Sequence, residues 1–347
     1  MTAVLAAVLA STLTAAPAAP AAPAAPAAPA APAAPAAPAA QAEQSKPAAG
    51  CNWTATTLPH TGYPQSTAVL ETGPGKYLGR TGDLSDSQFL TWNTGNTGTV
   101  ESTPWPDRYN LGQVNGADGS GRAVGTMDVF RDFDQPEIAF TIKDGNLTLL
   151  TFPAGVFGLD AVGVNQNGDI AVVGAGQDHL RYFVWPAGQA SPIEVLVHAD
   201  QIHYMSGITD DRRLAVSWTT GDGHVRAATF INGEATLLPM PAGNTESWTG
   251  KVAGGWILGG VSPKPNTAAL SVVWDPSGAV HLLPTGFTPH SINRSGAILG
   301  DYHGGTVVWH PDGAVQPTPA AAYLASIADD GLLLGAVNGV PTTWACR

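Results

Sequence analysis

Apolar residues in this chain come in short runs, each cut off by a polar reversal. Ile170–Val173, Val272–Trp274, Val307–Trp309 and Leu332–Leu334 are typical, and Gly, Asn or Asp stands close on either side. Runs of three or four residues bounded by turn formers are the signature of β-strands in a layered sheet. No stretch sustains a 3.6-residue apolar period, so the pattern predicts an all-β protein.

A longer period lies over the short one. Seven aromatic residues, Trp92, Phe140, Trp185, Phe230, Trp274, Trp309 and Trp344, each end a short apolar strand, at spacings of 48, 45, 45, 44, 35 and 35 residues. The clearest copy is Ser291 to Pro319. One strand ends at Ile292–Asn293, and Arg294-Ser295-Gly296 turns the chain. A second runs from Ala297 to Leu299 and a third ends at Trp309. Pro311-Asp312-Gly313 turns again, and a fourth strand reaches Pro317. Gly serves these reversals because it takes positive φ without steric cost. Units of this length with four strands read as propeller blades, so residues 51–347 are expected to form a seven-bladed β-propeller of four-stranded blades. An elongated β-solenoid or stacked sandwiches are the competing arrangements.

The last copy has a third strand, up to Trp344, and no fourth. The segment Cys51 to Pro59 looks like the missing one, and its Leu58-Pro59 matches Leu238-Pro239 and Leu283-Pro284. The ring is therefore expected to close by pairing this N-terminal strand with the last blade. The chain's two cysteines, Cys51 and Cys346, fall at the ends of that hairpin, which predicts a disulfide rather than two free thiols. In the chain-entropy model a bridge over so long a loop is worth on the order of 5 kcal/mol.

Ahead of the ring, residues 1–14 form an apolar segment of secretory-signal type, without a preceding Lys or Arg, and too short to span a bilayer as an ordinary helix. Residues 15–50 are an Ala/Pro-rich stalk with eight Ala-Ala-Pro triplets between Ala15 and Pro38. Proline every third residue forbids a stable helix and favours an extended, disordered spacer. A disulfide needs an oxidising compartment, so the protein is expected to be secreted, with association to a bacterial cell wall through the stalk. Lys and Arg number 15 against 27 Asp and Glu, a net charge of −12, with no basic patch. That composition argues against nucleic acid and anionic lipid as partners.

The units INRSGAILG…VVWHPDG, VNQNGDIAVVG…FVWPAG and IADDGLLLG…TTW resemble the HAF-type extracellular repeats of secreted bacterial proteins. The resemblance spans most of residues 51–347 and implies an architecture. It brings no catalytic residues to transfer. Phe140 and Phe230 depart from its Trp, and Ser217 stands where Gly is usual.

Strand alternation places the second-to-third and fourth-to-first connections on one face, the natural seat for binding. Residues entering the first strands are expected to ring the central channel there: Thr67, Asn110, Asp160, Tyr204, Trp248, Thr288 and Tyr323, with His203, Glu246 and His290 beside them. Asp160, His203, Tyr204, Glu246, Trp248, His290 and Tyr323 are the candidate binding residues, suited to a glycan, peptide or protein ligand, or else Tyr204, Trp248 and Tyr323 simply plug the channel. The alternative is an extracellular hydrolase or lyase, with Asp160 and Glu246 as a carboxylate pair or His203 or His290 as base. No catalytic motif supports it, and no cofactor is implied. His198, Asp200 and His203 have zinc-type chemistry, and Asp128, Asp132, Asp134 and Glu137 calcium-type chemistry. Loop polarity accounts for both groups, so no metal site is assigned.

Overall fold

The computed structural model describes residues 46–47, 50–60, 65–81, 88–93, 100–103, 111–128, 136–195, 201–265, 267–320 and 322–347. The expected leader (1–14) and nearly all of the stalk lie outside them. No helix occurs among the described residues, and seven sheets do.

Blades 1 to 6 are each one run of four antiparallel strands, within residues 67–103, 111–149, 156–195, 202–237, 246–282 and 288–317. Blade 7 takes three strands from residues 323–346 and its outer strand from Trp53–Thr57. The closing ladder runs antiparallel from Trp53↔Cys346 to Thr57↔Thr342, as the orphan-strand reading expects. Cys51 and Cys346 form a disulfide, with Cα atoms 5.5 Å apart. Lys46–Pro47, assigned by sequence to the stalk, adds a parallel strand to the outer edge of blade 6 at Ala314 and Val315. Proline is tolerated there because an edge strand needs to donate on one side only.

Burial explains why the ring has to close. The buried apolar residues fall into seven clusters, one at each blade interface. The cluster between blades 7 and 1 contains Leu58, Ala68, Trp92 and Leu334, which unites the two ends of the ring. No blade has a core of its own, so each stabilises only its neighbours. The recurrent Leu-Pro pairs belong to these seams. Trp92 Nε1 donates to the Pro59 carbonyl and Trp274 Nε1 to the Pro239 carbonyl, each at 2.7 Å, so a third-strand Trp reaches back to the preceding blade.

One repeat marker was misplaced. Trp92 pairs with Tyr77 and Trp274 with Ile257, at the start of the second strand. Phe140 pairs with Gly125 instead, and Ile142, opposite Ala123, holds the repeat position in blade 2. Residues 140 and 142 share one face of a strand, so apolar patterning does not separate them.

The Asn-x-x-Gly turns tie blades together. Asn293 Oδ1 accepts the N–H groups of Ser295 (3.1 Å) and Ala297 (2.9 Å), and its Nδ2 donates to the Ala328 carbonyl of blade 7 at 2.8 Å. Asn165 does the same, bonding Asn167 and Asp169 within its turn and the Thr209 carbonyl of blade 4 at 3.2 Å. A side chain with both acceptor and donor can shape its turn and bridge to the next one.

Each inner strand also carries a bulge, at Val69, Asn115, Val162, Ser206, Gly250, His290 and Ala325. In blades 1, 2, 5, 6 and 7 a second-strand glycine faces the bulged backbone. A Cβ on Gly335 would stand 1.9 Å from the Tyr323 carbonyl oxygen, and one on Gly259 2.0 Å from that of Trp248. In blade 4 the residue facing the bulge is Val216, opposite Met205, and Ser217 stands one place beyond it, opposite Tyr204. The Ser217 hydroxyl accepts the Thr249 N–H of blade 5 at 3.2 Å and adds a seam contact.

Candidate binding site

The inner strands of all seven blades line a central channel of about 300 Å³. Arg294 spans it at the tight-turn face. From blade 6 its Nη2 donates to the Ala117 carbonyl of blade 2 at 3.3 Å, while its Nε lies 3.7 Å from Asp329 Oδ2. Glu71 Oε2 accepts the Asp329 N–H nearby at 3.2 Å. Burial, then the Asp330 charge, push the Glu71 carboxyl up to about 7, from 4.5 in the free side chain. A raised carboxyl favours the protonated fold. Its stabilising effect is complete below about pH 4.5 and lost as pH rises through about 7. Glu71→Gln should therefore flatten the decline in unfolding free energy between pH 5 and 8, read by denaturant titration. An unchanged decline would rule Glu71 out as its source.

On the long-loop face, over blade 3 and between blades 2 and 4, lies a groove of about 700 Å³. Its apolar floor and walls are Phe157, Val173, Leu180, Tyr182 and Met205. Phe157 (58% exposed), Leu180 (47%) and Tyr204 (51%) are half of the large apolar side chains left open to solvent among the described residues. Scattered exposed apolar residues are ordinary, but three around one concavity are not. Glu137, Asp160 and His203 add polar groups to its lining. Thr126 Oγ1 donates to Asp160 Oδ1 and holds that carboxylate in place. Enclosure at the rim, and then the Asp160 and Asp128 charges, push the Glu137 carboxyl above the usual range. Burial and the Asp160 charge likewise raise the Tyr204 phenol.

Three of the seven candidates, Asp160, His203 and Tyr204, meet in this groove. The other four stand on blades 5, 6 and 7. The Glu246 carboxylate binds His224 Nδ1 and the Val225 N–H, each at 2.7 Å, and clasps blade 5 to blade 4. Trp248 lies half-buried against Gly260. His290 Nε2 pairs with Asp301 Oδ2 at 2.9 Å. Tyr323 is 64% exposed. Of the three aromatics that were candidates to plug the channel, only Tyr204 lines it. Asn110 lies outside the described residues. The ladder places Gln113, opposite Thr126, where Thr67 stands opposite Arg80 in blade 1, and Gln113 lines the channel. His198, Asp200, Asp132 and Asp134 also lie outside the described residues, and no group of three His, Cys, Asp or Glu is placed to hold a metal among the residues described. Sequence reasoning missed Phe157 and Leu180, and it took Glu137 only as part of a calcium-type loop cluster. The available signal was weak: Phe157 is a large apolar residue next to Gly158 at the head of an inner strand.

The fold defines the class: a seven-bladed, all-β propeller with its ring closed by the N-terminal strand. No protein-family model matches the chain, and no curated protein matches it. Solved structures are similar in fold. The β-propeller domain of the trilobed protease from Pyrococcus furiosus, described as having an open velcro topology, aligns with TM-score 0.53 at 10% identity, over 81% of this chain and 97% of that one. A catalytically inactive virginiamycin B lyase from Staphylococcus aureus, with quinupristin, aligns with TM-score 0.50 at 13% identity, over 84% and 99%. The Pyrococcus horikoshii acylaminoacyl peptidase aligns with TM-score 0.52 at 10% identity, over 84% of this chain and 52% of the peptidase. Likeness at such identity concerns the fold alone.

Proposed function

We propose that the protein is an extracellular binding module that takes a peptide or protein segment in the groove over blade 3. The observation that carries this reading is the grouping of exposed Phe157, Leu180 and Tyr204 around an apolar concavity that Glu137 and Asp160 also line. The apolar walls favour an aliphatic or aromatic side chain over a sugar, which needs many polar partners. The carboxylates favour Lys or Arg beside that anchor, as charge complementarity requires. The disulfide supports secretion, because such bridges persist in oxidising compartments. The quoted motifs support a relation to HAF-type repeats, whose Asn-x-x-Gly element serves here as turn and seam.

The test is selection of random peptides on the full chain. Enriched sequences should pair an apolar anchor with Lys or Arg. Affinity should fall about thirtyfold in the Phe157→Ala, Leu180→Ala double variant, from roughly 2 kcal/mol of lost anchor contact, and should weaken with salt. Enrichment of acidic peptides, or equal binding by the double variant, would count against the groove.

One observation favours a second reading, hydrolysis or lyase chemistry at the same place. Glu137, with its carboxyl raised, stands beside the fixed Asp160, an arrangement that can divide acid and base roles. Turnover of a selected ligand that is lost in Glu137→Gln, with affinity retained, would establish it.

A further inference from the structure

Lys251, on the inner strand of blade 5, lines the central channel. The other charged groups along that channel have partners. Arg294 is held by Ala117 and Asp329, Glu71 receives the Asp329 N–H, and Asp160 receives the Thr126 hydroxyl. Lys251 makes no hydrogen bond and no ion pair with any described residue. Its side chain is open to the water of the channel, yet the surrounding ring desolvates the ammonium and lowers its pKa. A partly desolvated cation without a counter-charge is costly, and an anion that can reach it recovers that cost.

We propose that the channel is a binding site for a small organic monocarboxylate, held by the Lys251 ammonium. The cavity of about 300 Å³ lies at the small end of ligand sites. One unpaired positive charge matches one negative charge. A dianion such as phosphate would meet Glu71 and Asp329 along the same walls, where like charge is already concentrated. Ser291 offers a second contact. Its Oγ accepts the Ile327 N–H at 3.4 Å, which leaves the hydroxyl proton free to donate toward the channel it lines. This site adjoins the groove, with Asp160, Val162 and Tyr204 lining both, but Lys251 and Ser291 belong to the channel, and the proposal does not depend on peptide binding in the groove.

The experiment is trace reductive methylation of the full-length protein, read lysine by lysine by mass spectrometry, during a titration with sodium butyrate at ionic strength held constant with sodium chloride. Labelling of Lys251 should slow saturably, about tenfold when butyrate reaches roughly ten times its dissociation constant, while exposed Lys143 and Lys264 are unaffected. In Lys251→Met, butyrate should no longer shift the backbone amide resonances of Gly250 and Ser291. The wild-type labelling alone decides the matter should that variant not fold. No saturable protection, equal protection by phosphate, or the same amide shifts in Lys251→Met would overturn the proposal.

Discussion

Cys346→Ser is expected to lower the unfolding temperature by about 8 °C. The bridge to Cys51 closes a separation of 295 residues. The chain-entropy model values such a loop at about 5 kcal/mol. A ring of about 300 residues unfolds with an entropy near 0.6 kcal/mol/K, so that loss converts to about 8 °C. The damage should also be local. Without the bridge, the outer strand of blade 7 is held by the ladder over Trp53–Thr57, by Leu58 in the seam with blade 1, and by the Trp92 bond to Pro59. Amide exchange at residues 53–57 should therefore rise more than in blades 3 to 5. Calorimetry and hydrogen exchange, with wild type in reductant as the second arm, read both effects. An unchanged transition in the variant and in reductant would show that the ring does not depend on its latch.

Gly335→Ala should cost about 3 kcal/mol, at the upper end of overpacking penalties, or roughly 5 °C. Its Cβ would sit 1.9 Å from the Tyr323 carbonyl oxygen and 3.0 Å from the Leu324 Cα. Both obstacles are backbone, so no rotamer change relieves them. The inner strand would have to withdraw into the channel and lose its seam with blades 6 and 1. Gly305→Ala in blade 6 is the control, because a Cβ there meets nothing within 4 Å and the backbone is not in the left-handed region. Equal stability of the two variants by denaturant titration would contradict the bulge account.

The difference between blades 4 and 7 shows how far the sequence could be read. Gly at the end of each second strand is plain in the repeat, and so is the exception at Ser217. That Val216 faces the blade 4 bulge, with Ser217 one place beyond it, is not, because register is set by the partner strand. Phe140 and Ile142 show the same limit. Both point to one face, and only pairing with Gly125 or Ala123 tells which holds the repeat position. Asp160, His203 and Tyr204 were legible as residues entering inner strands next to one another in the ring. Glu246 was not legible as a clasp, because His224 belongs to the neighbouring blade's loop.

What the sequence determined alone is what repeats or lies at the ends: strand length, turn chemistry, seven units, and a first strand and two cysteines suited to closing the ring. Each of these follows from local conformational preference or from counting. Which side chains share a cavity was decided by tertiary structure. The groove draws Glu137 from blade 2, Phe157 and Leu180 from blade 3, and Tyr204 from blade 4, and the channel draws one strand from every blade. Those residues meet only because apolar seams hold the blades edge to edge around an axis, and no local pattern encodes an angle between neighbouring sheets.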